Sequence, residues 1–279
     1  MEIKDVLKKN NFKFKKSLGQ NFITDGNMLK AIILDAEITS DDTVVEIGTG
    51  AGSLTAYLSK TAKRVVTFEV DNELEPILRE TLSECKNVET VFCDILKMSD
   101  EEFRKKVPEK FKVVANLPYY ITTPLIMRFV ESTLEPTSMT LMMQKEVAER
   151  ITAEHNTEAY GAITVSIAAV ANSRITRTID RRLFYPVPNV DSALVRIDFR
   201  RDKYEFADFG TFKKVIKSAF LMRRKTLANN LVSAFGISKA DCETAIANSG
   251  FEKNVRGEAL SCEDFVRIAD YLTLNCLKK

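Results

Sequence analysis

From about residue 43 the chain alternates short apolar runs with longer stretches whose apolar residues recur every three or four positions. The short runs TVVEI (43–47), RVVTFEV (64–70), VETVFCD (88–94), KVVAN (112–116) and SMTLMMQ (138–144) predict strands. Between and after them, SLTAYLSKT, NELEPILRETLSE, PLIMRFVES and KEVAERITAE predict helices. Pro76 and Pro124 fall in first turns, where a helix tolerates proline. Strands alternating with helices predict a parallel sheet covered on both faces, and strand interiors apolar on both sides suit that burial. Beyond residue 185 the texture changes. PVPNV reads as a loop and SALVRIDF as one more strand. Then TFKKVIKSAFLM, KTLANNLVSAF, KADCETAIANSG and CEDFVRIADYLTL follow at helical spacing, with Ser238 and Ser261 as N-caps and Gly250 as a stop. The expectation is an α/β domain over 1–200 followed by a smaller all-helical domain over 201–279.

A chain of 279 residues, 45% hydrophobic, can bury a sizeable core in one or two domains. No run of about 18 apolar residues predicts a membrane span. MEIKDVLKKNNFKFKKSLGQNF is basic but lacks the apolar core of a signal peptide. Five cysteines without a CxxC pair read as reduced thiols in a cytoplasmic protein. One histidine, His155, argues against a histidine-based metal site or triad, so no metal is expected. The net charge of +2 is unevenly spread: residues 1–30 hold seven basic and three acidic residues, 31–184 hold 18 and 24, and 185–279 hold 16 and 12. Basic ends around an acidic middle suggest a polyanion held by the ends.

VVEIGTGAGSLT (44–55) is a strand that ends in Gly48, Gly50 and Gly52 before a helix. Glycines allow the backbone a tight turn and a close approach to a ligand. Glu69 ends the next strand, where a carboxylate can accept ribose hydroxyls; Asp94 ends the third and can accept from an adenine amine. Together they describe an adenosine-containing ligand. The GxGxG spacing departs from the GxGxxG of a pyrophosphate site, and acidic Glu46 beside the loop favours a cationic ligand. S-adenosylmethionine is expected over a nicotinamide dinucleotide.

The fourth strand runs out into NLPYY (116–120) at the same sheet edge. An exocyclic amine on an aromatic base is a poor nucleophile, because its lone pair is delocalised. The Asn116 side-chain oxygen and the Leu117 carbonyl can accept its two N–H groups and aim the lone pair. Pro118 restricts Leu117 to an extended conformation and offers no competing N–H. Tyr119 can stack on a flipped or single-stranded base.

These residues resemble the signature of adenine and cytosine amino-methyltransferases. Over nearly the whole length the chain resembles the bacterial small-subunit ribosomal RNA adenine dimethyltransferases. The match includes KKSLGQNFITD (15–25), VEIGTGAGSLT, Glu69-Val70-Asp71, Asp94, NLPYYITTP, QKEVAERI (144–151), FYPVPNVDSALV (184–195) and FLMRRKTLANNL (220–231). The resemblance implies a Rossmann-like S-adenosylmethionine-dependent domain. Its reaction would be dimethylation of two adjacent adenosines in the 3′-terminal hairpin of small-subunit RNA, during ribosome biogenesis. It sets Asn21 and Ile23 against the cofactor, Gly48 beneath it, Glu69 on its ribose, Asp94 at its adenine amine and Asn116 between cofactor and base. Phe184 becomes a second stacking aromatic opposite Tyr119. Thr49 stands where many members have proline.

Arg223, Arg224 and Lys225 form a basic cluster that the resemblance reads as a phosphate contact, which positions RNA without reading sequence. Lys13, Lys15 and Lys16 could act likewise. Gln144 and Glu146 are read as supporting or capping residues. The expected partner is small-subunit RNA in a 30S-type precursor, met by a monomer. Three rivals remain: a large-subunit RNA adenine methyltransferase of the antibiotic-resistance type, a non-catalytic assembly factor on the same fold, and a nicotinamide-dependent oxidoreductase.

Overall fold

Val44, Val45, Val65, Val66, Val113 and Val114 are wholly buried because the strands that carry them lie side by side at the centre of one sheet. The computed structural model describes residues 3–10, 12–15, 19–107 and 110–277. They divide into two units, 1–148 with 174–199 and 149–173 with 200–279.

In whole or part, the first unit carries α1 (Ile3–Lys9), β1 (Phe22–Ile23), α2 (Gly26–Asp35), β2 (Thr43–Ile47), α3 (Ser53–Leu58), β3 (Arg64–Glu69), α4 (Glu75–Thr81) and β4 (Val88–Phe92). It continues with α5 (Asp100–Lys106), β5 (Phe111–Asn116), α6 (Thr122–Glu131), β6 (Pro136–Gln144), α7 (Lys145–Ile151), β7 (Ala171–Ile179), β8 (Phe184–Tyr185) and β9 (Ser192–Phe199). Seven strands form a sheet in the order β4-β3-β2-β5-β6-β9-β7, and β1 pairs with β8 separately. From β4 to β6 the pairs are parallel; β9 is antiparallel to β6. The sheet is therefore mixed rather than all parallel. The chain adds β3 and β4 on one side of β2 and β5 on the other. That reversal opens a crevice at the carboxyl ends of β2 and β5, where open α/β sheets take ligands.

β9 occupies the residues its pattern predicts. β7 was not expected, because ANSRITRTI turns most of its side chains to water at the sheet edge and shows no apolar run. α6 begins at Thr122, so Pro124 is its third residue rather than its first. α2 is capped by Asp25, whose side chain accepts from the Met28 N–H, and α5 by a Ser99–Glu102 capping box. No helix among the described residues is long and apolar enough to cross a membrane.

The second unit holds α8 (Ala162–Ala168), α9 (Phe209–Leu221), α10 (Leu227–Phe235), α11 (Lys239–Asn248) and α12 (Cys262–Asn275). Phe212, Val215, Leu231, Phe265 and Ile268 are its buried centre. Residues 149–173 belong to this unit, whereas the division at residue 200 left them in the first domain. Contacts between distant residues hold them: the Tyr160 O–H donates to the Leu260 carbonyl at 2.8 Å, and the Asn156 N–H to the Glu258 carbonyl at 2.8 Å. Periodicity carries no signal of such contacts.

Candidate active site

The carboxyl ends of β2, β3, β4 and β5 surround one pocket, whose walls include Gly48, Glu69, Asp94, Asn116, Tyr119 and Phe184. The loop after β2 can lie there only as glycine. Gly48 and Gly50 have φ of +78° and +55°, and a Cβ on Gly50 would sit 2.8 Å from the Phe22 ring. Glu69 organises this loop. Its Oε2 accepts from the Gly50 N–H at 2.8 Å, and its Oε1 accepts from the Val70 and Asp71 N–H groups at 2.8 Å each. Burial pushes the carboxyl up, and those three donors oppose the rise. A carboxylate has about four lone-pair sites. One remains, on Oε2, so a single ribose hydroxyl is better served than the two expected.

Asp94 is half-buried at the end of β4, where it accepts from the Leu96 N–H at 3.0 Å. Ser53, the first residue of α3, lines the pocket with a buried hydroxyl that has no protein partner. Nothing in the sequence pattern marked it. The orphan hydroxyl, the spare lone pair on Glu69 and the half-exposed Asp94 suit a ligand rich in hydroxyl, amine and carboxylate groups, as S-adenosylmethionine is.

A strap crosses the pocket from the other side. Gly19, Gln20, Asn21, Phe22 and Ile23 all line it. Lys15 and Gln20 fasten the strap by reaching the same buried carboxylate, Asp71, at 2.7 and 2.8 Å. Burial works against ionising Asp71, but Lys15 and Gln20 outweigh it and hold its carboxyl below the ordinary range. Lys15 is thus engaged within the protein rather than presented to a polyanion. Lys16 lies outside the described residues, and Lys13 is exposed. Phe14 packs edge-on against Tyr185, with centroids 5.4 Å apart.

Asn116 closes β5. Its side-chain Nδ2 donates to the Asn21 carbonyl at 2.9 Å, so its Oδ1 is left to accept. No hydrogen bond to the Leu117 carbonyl is formed among the described residues, although the Leu117 N–H donates to Met142. Pro118 is extended, at φ −55° and ψ 134°. Tyr119 is braced through its hydroxyl against Ser192 Oγ at 3.2 Å. Phe184 is set by its β1 partner, Ile23, and is 4% exposed. The pocket therefore brings together the residues that the sequence assigned to cofactor and base, whereas Gln144 and Glu146 line a separate cleft.

Glu46 is a correction. It is wholly buried at the end of β2, where the Thr55 hydroxyl donates to it at 2.5 Å. Burial pushes its carboxyl up to about 8, with hydrogen bonds from Thr55 and Thr67 opposing and the Glu69 charge adding. At neutral pH it is a neutral acid, not the carboxylate expected to attract a cation. The unfolded chain ionises this group from about pH 4.5 and the folded chain only near 8. Its contribution to stability is therefore lost as pH rises through that window, by up to about 1.4 kcal/mol per pH unit. Glu46→Gln should gain on the native chain by roughly 1 kcal/mol or more between pH 5.5 and 7.5. Urea unfolding of both proteins at the two pH values measures it, and an unchanged gap would mean that Glu46 is ionised in the folded state.

Arg223, Arg224 and Lys225 lie in the second unit, and the structure separates their roles. Arg223 donates to the Glu158 and Tyr160 carbonyls at 2.9 and 3.4 Å, which ties residues 158–160 to the turn after α9. Arg224 and Lys225 are respectively exposed, beside Leu221 at 72%. His155 is an exposed turn residue, and the five cysteines are free thiols.

Residues 11–274 match the profile of a family described as Ribosomal RNA adenine dimethylase. A Streptococcus thermophilus protein named Ribosomal RNA small subunit methyltransferase A is 45% identical over 277 residues, covering 96% of this chain and 95% of the relative. A Streptococcus pyogenes protein of the same name matches at the same identity and coverage. Among solved structures, a Plasmodium falciparum dimethyladenosine transferase aligns at a TM-score of 0.73 and 24% identity, over 88% of this chain and 95% of the other. The 23S rRNA methyltransferase ErmE aligns at 0.71 and 27% identity, over 90% and 99%.

Proposed function

The chain belongs to the ribosomal RNA adenine dimethylase family, and from that premise we propose that it dimethylates the N6 amines of two adjacent adenosines in the 3′-terminal hairpin of small-subunit ribosomal RNA. It is an S-adenosylmethionine-dependent rRNA methyltransferase; the choice of subunit, of adenosines and of a 30S-type precursor as substrate is the proposal. The small-subunit reading is favoured by 45% identity to the streptococcal proteins, against 27% to the large-subunit enzyme. A monomer acting in the cytoplasm fits this reading.

The observation that carries the chemistry is the Asn116 amide. Its Nδ2 is committed to the Asn21 carbonyl, so its Oδ1 accepts one N–H of the target amine. The Leu117 carbonyl accepts the other. With both N–H groups held, the nitrogen lone pair is aimed rather than spread into the ring. Tyr119, fixed by Ser192, and Phe184 hold the base by its faces. S-adenosylmethionine, when bound, supplies an electrophilic methyl group. Glu69 holds its ribose, Asp94 its adenine amine and the Ser53 hydroxyl its polar tail. The amine needs no strong base, because the proton it sheds after methylation is acidic enough for solvent to take. For the second transfer the amine must turn, and stacking by Tyr119 and Phe184 permits rotation where two locked N–H groups would not. A non-catalytic assembly factor would have no use for this arrangement.

The test is nucleoside analysis of small-subunit RNA from cells lacking the protein, after treatment with purified protein and S-adenosylmethionine. N6,N6-dimethyladenosine should appear at two adjacent positions. Modification confined to large-subunit RNA would overturn the reading.

RNA affinity should rest on phosphate contacts and fall steeply with salt. Arg224→Glu with Lys225→Glu should weaken RNA binding severalfold and flatten the salt dependence, with cofactor affinity unchanged. Arg223 is left out of this variant because its loss would disturb the fold. Filter binding across a salt series measures the effect, and an unaltered slope would remove these residues from the RNA surface.

A further inference from the structure

Besides the cofactor pocket, the first unit has a second cleft, between the start of α7 and the loop 185–191. The loop leaves Phe184 at one end, and at the other it reaches Ser192, whose hydroxyl meets that of Tyr119. Its two ends are thus anchored on the two aromatic residues assigned to the target base. Adjacent nucleotides are joined by one phosphodiester, so a site for the neighbour must open within one backbone step of that base. This cleft does so. Resting on the reading above, we infer that it receives the base of the nucleotide flanking the adenosine under methylation.

The chemistry of the cleft suits a base rather than a phosphate. Its cations, Lys145, Arg181 and Arg182, are matched in number by Glu146, Asp180 and Asp191. Arg181 is occupied as a brace, with its Nη1 donating to the Asn189 carbonyl at 2.8 Å. Arg182 is gripped edge-on by Asp180 through Nε and Nη2 at 2.6 to 3.0 Å, while its side chain stays 81% exposed. Arg182 holds the Asp180 carboxyl down at about 2, so the pair stays ionised at any working pH. A guanidinium whose edge is taken still offers its flat face, and such faces stack on bases. Val187 and Val190 stand 56% and 45% exposed on the same cleft and supply an apolar platform. The loop is pinned from below: Asp191 accepts the Arg181 N–H on its side chain and the Lys145 N–H on its carbonyl. The platform is therefore fixed before RNA arrives. The occupant is one nucleobase of the same strand, and for an enzyme acting on two adjacent adenosines it is the other adenosine.

The test is a cycle between protein and RNA, using a synthetic hairpin with both adenosines and a second hairpin in which one of them is abasic. The variants are Val187→Asp with Val190→Asp and, separately, Arg182→Ala; all three positions are exposed. On the full hairpin each variant should lower kcat/KM for RNA about tenfold, the scale of one stacked base, with cofactor affinity unchanged. On the abasic hairpin the native protein should show the same loss at the remaining adenosine, and the variants should lose nothing more. Full variant losses on both hairpins, or no loss on either, would overturn the inference. An altered salt slope in Arg182→Ala would reassign the residue to a phosphate and also overturn it. Failure of the native protein to methylate the full hairpin would instead sink the parent reading.

Discussion

Asn116→Ala should lower turnover at least about 100-fold while RNA and cofactor affinities stay near native, the size expected for losing one preorganised polar contact. Asn116 sits at the end of a buried strand, in register with Met142, and its amide is already turned by the Asn21 carbonyl before any base enters. The substitution deletes the acceptor and its orientation together. With Tyr119 and Phe184 proposed to grip the base, binding should be largely spared. Asn116→Asp separates the two roles. It keeps an oxygen toward the amine but sets a carboxylate against the Asn21 carbonyl, which has lost its donor. Its turnover should fall between native and alanine. Single-turnover methylation with saturating RNA reads the chemical step directly. If Asn116→Ala were to raise KM for RNA and leave kcat alone, the residue would be a binding contact and not the aligning group.

Glu69→Gln should weaken S-adenosylmethionine binding by about 10- to 100-fold, nearly as much as Glu69→Ala. The usual expectation for an isosteric change is a mild effect. Here both carboxylate oxygens face backbone donors, Gly50 on one side and Val70 with Asp71 on the other. The amide NH2 must point a donor at a donor whichever way it turns. The cost is a charge-assisted hydrogen bond, about 1.5–3 kcal/mol, plus slack in the Gly48–Gly52 loop. Calorimetry on folded protein measures it. Near-native affinity for Glu69→Gln would show that loop and ribose are held by other groups.

The glycine loop, its register with Glu69 and Asp94, and Asn116 at the end of β5 were legible in the sequence, because each depends on local pattern: an apolar run, the residue that ends it, and glycines at positive φ. β9 was legible for the same reason. β7 was not, since an edge strand that faces water has no apolar rhythm to betray it. The state of Glu46 was not legible either. An acid beside a glycine loop reads as a charge, and only its burial, against the opposing hydrogen bonds of Thr55 and Thr67, favours the neutral form. Arg223 looked equal to Arg224 and Lys225, and only the carbonyls of residues 158 and 160 distinguish it. What escaped the sequence was burial and tertiary contact, which a local pattern of apolar and polar residues does not record.

The strap has a consequence for the order in which the molecule is made. The cover of the cofactor pocket is translated before its floor. Lys15 and Gln20 must wait for Asp71, the Asn21 carbonyl for Asn116, and Phe14 for Tyr185. These are long loop closures, which come late and slowly in folding. On the ribosome the pocket therefore stays open until the strand that carries Tyr185 has emerged. A nascent chain cut short before residue 184 lacks both the Phe184 wall of the pocket and the strand that pairs with the strap.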